Sequence, residues 1–153
     1  MPLNDYTCEE SVHDDVLNYF RELQEYELVS HHPPDSKRYS SANIQIPKRG
    51  IRGSTGRDII DFIYVSIEEI LLIEAKCSFS ETMNDQIKIN QITATYTPFE
   101  FTNLIRRSGY NILVTNRHFV KALAVRTLNS FHHPDGFRIF GYINGKFQEI
   151  KQR

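Results

Sequence analysis

The chain has 153 residues, 40% of them hydrophobic, with ten Phe, eight Tyr and a formal net charge of −1. That length suits one domain, spanning residues 1–153, with a proper core. It contains no run of about 18 apolar residues, which excludes a transmembrane helix, and two cysteines, Cys8 and Cys77, make no disulfide framework. The acidic, polar start MPLNDYTCEES does not resemble a secretory signal. A reducing cytoplasm is the expected setting, with Cys77 a small core residue rather than a nucleophile.

Residues 10–28 read as a helix, with Val12, Val16, Tyr19, Phe20 and Leu23 on one stripe. Glu9 and Asp15 flank that stripe, while Glu10 and Asp14 are expected to face solvent. Pro33-Pro34 stops any continuation. His31-His32 and, later, His132-His133 precede prolines and read as exposed loop residues; neither pair has zinc-site spacing. Residues 42–47 predict a short strand, and RGIRGSTGR a loop. Strands are predicted at 58–65 and 70–77, joined around residues 66–69. Residues 85–96 are ambiguous, since Ile89, Ile92 and Tyr96 have helical spacing while the Thr and Ile content favours a strand. Thr97-Pro98-Phe99-Glu100 has the form of a capping box with proline at the first helical position, predicting a helix to about residue 108. YNILVT predicts a strand, and Asn116 is placed to cap a helix running to about residue 130, with His118 one residue inside it. FRIFGYI and KFQEI predict a hairpin turning at Asn144-Gly145.

Charge is unevenly divided. Residues 1–30 hold eight acidic side chains and one Arg, whereas residues 31–153 hold seventeen basic and eleven acidic ones. Lys37, Arg38, Lys48, Arg49, Arg52 and Arg57 fall between Asp35 and Asp58 with no acid among them. Such a face suits a polyanion, and Gly50, Gly53 and Gly56 in the same stretch let a backbone approach phosphates closely.

Within DIIDFIYVSIEEILLIEAK, residues 58–76, the apolar pattern breaks at Glu74 and Lys76. Residues i and i+2 of a strand share a face, so the two are presented together with Ala75 turned away. Charges inside an apolar run are paired or used. A cross-strand salt bridge is the plain use; a functional site is the other. Asp61 on the preceding strand is the natural companion, with Asp58, on the opposite face, in reserve.

Asp61, a gap of twelve residues, and then Glu74-Ala75-Lys76 resembles the PD-(D/E)XK nuclease superfamily, although the usual proline before the aspartate is absent. The resemblance covers roughly residues 10–131. It implies an α/β fold with a restriction-endonuclease-like αβββαβ core, a mixed sheet flanked by helices, and the C-terminal hairpin as an addition. It also implies a Mg²⁺-dependent endonuclease, with Mn²⁺ as another usable ion. Asp61, Glu74 and the Ala75 carbonyl would hold the metal, and Lys76 would orient or help deprotonate the attacking water. A first-helix acid, Glu9 or Asp15, would join the shell. Lys48, Arg49, Arg52, Arg57, Gln86 and Lys88 are the expected nucleic-acid contacts. The implied partner is nucleic acid, DNA ahead of RNA, in restriction, defence, recombination or repair. A homodimer would allow duplex cutting, with the hairpin's Phe and Tyr residues as its surface. Two alternatives share the resemblance: an RNA- or tRNA-cleaving toxin with an immunity partner, and an inactive nucleic-acid-binding member.

Overall fold

The computed structural model describes residues 7–34, 43–49, 56–128 and 131–151. Helix α1 (Cys8–Leu23) opens on a capping box that the expected start at residue 10 misses. The Thr7 hydroxyl accepts the Glu10 N–H at 3.1 Å, and the Glu10 carboxylate accepts the Thr7 N–H at 2.9 Å. Glu10 is therefore buried rather than solvent-facing, at 1% exposure. The helix ends five residues earlier than expected, with Gln24 in the left-handed region at φ 62°. The chain then turns into strand β1 (Glu27–His31).

Strands β2 (Ile46–Pro47) and β3 (Arg57–Asp58) form a separate antiparallel pair. The single strand expected at 58–65 is thus broken, and β4 is confined to Phe62–Val65. Asp61 lies in the bend just before it. Strand β5 (Glu69–Ser78) is followed by a 3₁₀ turn and by helix α2 (Met83–Thr95). The ambiguous segment is therefore helical, with Ile89 and Ile92 turned into the core. Helix α3 (Pro98–Arg107) carries the expected capping box between Thr97 and Glu100.

Two expected elements are replaced. Residues 110–115 form no strand. They belong to the connection that crosses the sheet end, where Thr115 donates to the Ile67 carbonyl at 2.6 Å and Arg117 to that of Ser66 at 2.7 Å. The helix expected to run from Asn116 is instead strand β6 (His118–Thr127). Strands β7 (Phe137–Ile143) and β8 (Lys146–Ile150) complete the expected hairpin, Asn144 and Gly145 both having positive φ (52° and 77°), as a two-residue turn of the primed type requires. The hairpin is no appendage, because β7 pairs in parallel with β6.

The result is an α/β fold around a mixed six-stranded sheet, ordered β1-β4-β5-β6-β7-β8 and flanked by helices. The pairs β5–β6 and β6–β7 are parallel and the rest antiparallel. Alternation sorts side chains into two apolar layers. Phe62, Tyr64, Leu71 and Ile73 meet Val12, Val16 and Phe20 of α1. Ile63, Val65, Ile70 and Leu72 pack with residues of α2 and α3. Ala75, Ala122 and Ala124 lie in the α1 layer, where short side chains bring a helix close to a sheet. Phe140 is buried and Phe147 packs against this same layer, so these aromatics of the hairpin serve the core. Among the described residues, no helix is long and apolar enough to cross a membrane.

Cys8 and Cys77, expected as unpaired thiols, form a disulfide between the first turn of α1 and the end of β5. The two lie 69 residues apart in the chain, so only the packing of helix on sheet reveals the pairing.

Candidate functional site

The C-terminal end of β5 meets the first turns of α1 and α2 beside the bend at Asp61. A cavity of about 440 Å³ opens there, and Glu9, His13, Asp61, Glu74, Lys76, Asp85 and Lys88 all contribute to its lining. Local rules explain each position. Glu9 and His13 are four apart on α1 and share a face. Asp85 and Lys88, three apart on α2, share another. The alternation of β5 brings Glu74 and Lys76 to the same end.

Asp61 and Glu74 are locked by reciprocal bonds. The Asp61 N–H donates to Glu74 Oε2 at 3.1 Å, and the Ala75 N–H donates to Asp61 Oδ2 at 2.9 Å. Ala75 is fully buried, and its amide is what it gives to this arrangement. The Lys88 ammonium lies against Glu74 Oε1 and donates to the Ile59 carbonyl at 2.9 Å. Lys76 sits between two acids, 3.9 Å from Glu9 Oε1 and 4.0 Å from Asp85 Oδ2. That Asp85 oxygen is buried and accepts no hydrogen bond.

Among the described residues the cavity holds four carboxylates and two ammonium groups, and all four acids are raised. Burial pushes Glu74 up to about 8, and neighbouring Asp61 adds to this. Burial, then the Glu74 charge, raises Asp85 to about 6. Asp61 and Glu9 are also raised, burial being the leading cause in both. Burial is the leading cause for all four acids, and a bound cation would offset it. For Lys88, burial works to lower the value, but the Glu74 carboxylate outweighs it and the net shift is upward.

His13 was not singled out from the sequence, nor was Asp85. His13 is 1% exposed, and its Nε2 stands 3.9 Å from Asp61 Oδ2. On its other side Nδ1 is 3.0 Å from Nε2 of His31. Burial lowers His13 to about 3 and His31 to about 4, so both rings are neutral at neutral pH. In the tautomer that donates from His13 Nδ1 to His31, Nε2 has a free lone pair on the side of Asp61. His31, expected in an exposed loop, is a buried residue of β1 stacked on Phe62 at 4.6 Å. Glu9, His13 and Asp61 each offer a ligand atom within 4.8 Å of the others. An imidazole and two carboxylates suit a divalent cation. The signal lay in the chain as Glu9-x-x-x-His13, two ligand types at helical spacing.

The remaining candidates separate. Of the two first-helix acids, Glu9 lines the cavity, while Asp15 accepts a hydrogen bond from Tyr142 on β7. Asp58 belongs to β3, where it pairs with Lys48 at 3.7 Å. Arg49 binds Glu100 at 2.8 Å and covers the Tyr96 ring. Arg57 is exposed, and Arg52 lies outside the described residues. Gln86 donates to the Thr82 hydroxyl and lines an adjoining cavity with Phe79, His132 and His133. Of the five expected nucleic-acid contacts that lie among the described residues, Lys88 lines the cavity with Asp61 and Glu74.

No family model matches the chain, and no curated protein or solved structure matches it.

Proposed function

We propose that this protein is a divalent-metal-dependent endonuclease of the PD-(D/E)XK type, hydrolysing phosphodiester bonds in DNA. The observation that carries the reading is the meeting of Asp61, Glu74 and Lys76 with Glu9 and His13 in one cavity at the end of β5. The element order supports it as well. With β2, β3 and α3 taken as insertions, α1, β1, β4, β5, α2 and β6 are compatible with the αβββαβ order of that superfamily.

Glu9, His13 and Asp61 would hold the ion, with Glu74 fixing Asp61 through its backbone. A divalent ion in that position supplies charge for the phosphate oxygens and acidifies water. Lys76 then has two tasks that an ammonium performs well. It orients a water through its donors, and its charge favours the more anionic transition state. Asp85 and Glu9 hold that ammonium from two sides. The buried floor of the cavity strengthens each of these interactions.

Mg²⁺ is the ion the resemblance implies. The His13 imidazole shifts the balance toward Mn²⁺, because Mg²⁺ favours an all-oxygen shell and gives up its waters reluctantly. Supercoiled plasmid, linear duplex, single-stranded DNA and tRNA, each incubated with Mg²⁺, Mn²⁺ or EDTA, are the test. Nicking and linearisation of plasmid are expected with either ion, faster with Mn²⁺, and none with EDTA. Preferential loss of tRNA would move the substrate to RNA. Salt-sensitive binding with no cutting would leave an inactive nucleic-acid-binding protein.

The raised acids make ion binding pH-dependent. An ion held at Glu9, His13 and Asp61 brings positive charge beside Glu74 and Asp85, and so favours release of the proton that Glu74 holds up to about 8 and Asp85 up to about 6. For an acid raised in the folded state, the metal-free fold loses stability as pH rises from the unfolded value through the folded one. The ion restores that loss. The rise in melting temperature on adding Mn²⁺ is therefore expected to grow from pH 6 to pH 8. Affinity should climb by up to about tenfold per pH unit for each proton displaced. A flat response across this range would remove the carboxylates from the binding event.

A further inference from the structure

Two cation positions lie side by side in the cavity. One is framed by Glu9, His13 and Asp61. The other is framed by the Ile59 carbonyl and by Oε1 of Glu74, which is 2% exposed, and it is filled by the ammonium of Lys88. A main-chain carbonyl and a buried carboxylate oxygen are the hard donors that a divalent cation takes. Here the protein's own side chain occupies them.

Lys88 is held in this position. Its neighbour Ile89 and, one turn on, Ile92 are buried in the core on the α2–α3 side, which fixes the rotation of α2. The Lys88 side chain is 27% exposed, so it is reached by solvent yet anchored at its tip. Moving it aside would take from Oε1 of Glu74 its cationic partner in a buried position. Charge counting agrees. Among the described residues, Glu9, Asp61, Glu74 and Asp85 against Lys76 and Lys88 leave a formal charge of −2, which a single divalent ion matches.

We propose that Lys88 takes the place of a second divalent ion, so that this is a one-metal centre with a built-in second cation. The proposal rests on the metal-dependent reading above. Lys88 acts through Glu74 as a positioning residue, and its signature is the number of ions bound rather than the rate of cleavage alone.

The test is a Mn²⁺ titration of the full chain without nucleic acid, followed by electron paramagnetic resonance. Wild type is expected to bind one Mn²⁺ with an uncoupled spectrum. Lys88→Ala is expected to bind two, with the line broadening of two close spins. Lys88→Arg is expected to stay at one. Lys88→Gln keeps a donor for the Ile59 carbonyl while removing the charge, and it decides the matter should Lys88→Ala fail to fold. Two coupled ions in wild type would overturn the proposal and leave the metal-dependent reading standing. So would a single ion in wild type, Lys88→Ala and Lys88→Gln alike. No bound ion in wild type would overturn both.

Discussion

Asp61→Ala and Lys76→Ala should each abolish plasmid cleavage, with losses of at least about a hundredfold. The two variants are expected to fail differently. Asp61 joins three things, since its N–H holds Glu74, its carboxylate accepts from Ala75, and it faces Glu9 and His13. Its loss should remove ion binding together with activity. Among the described residues, Lys76 pairs with Glu9 and Asp85, at 3.9 and 4.0 Å. Lys76→Ala should therefore bind Mn²⁺ at least as well as wild type, one positive charge having left the cavity, while cleavage collapses. Calorimetric Mn²⁺ binding beside a single-turnover cleavage assay separates the two. Retention of cleavage in Lys76→Ala would reduce Lys76 to an ion pair with Glu9 and Asp85.

Breaking the Cys8–Cys77 bond carries the second large effect. Closing a chain segment of 69 residues constrains the unfolded ensemble by about 4 kcal/mol on the chain-entropy account. Reduction, or the double substitution Cys8→Ser with Cys77→Ser, is thus expected to lower the melting temperature by roughly 10 °C. The site should feel it too. Cys8 precedes Glu9 and Cys77 follows Lys76, so the bond pins together the two residues that face each other across the cavity mouth. Val12, Val16 and Phe20 stay buried and keep the rest of α1 in place. Only the first turn is released, and ion affinity should weaken about tenfold while the fold persists. Melting and Mn²⁺ binding measured with and without dithiothreitol test this. An unchanged melting temperature would mean that the bond adds no constraint to the fold.

What could be read from the chain follows the range of the interactions involved. The turn at Asn144-Gly145 and the capping box at Thr97 and Glu100 depend on neighbours within a few residues, and they stand where expected. The break in hydrophobicity at Glu74 and Lys76 likewise pointed to the cavity. Strand β6 was misread because Lys121-Ala122-Leu123-Ala124 are good helix formers. As an interior strand between β5 and β7 it is buried from residue 122 to 125, so no alternation marked it. His31 was misread because β1 pairs with β4, and only that pairing sets its ring against Phe62. His13 and Asp85 were missed for a related reason. Neither breaks a local pattern strongly, and each acquires meaning through a partner on another element.

The cavity draws on α1, on the bend before β4, on β5 and on α2, and β5 is held on one side by β6, which the chain supplies later. A ribosome-bound chain therefore carries every ionisable group of the cavity well before it can assemble them. The sheet around the cavity is complete only when synthesis has passed residue 127 and β6 can pair with β5. Translation itself sets the moment at which these groups first meet.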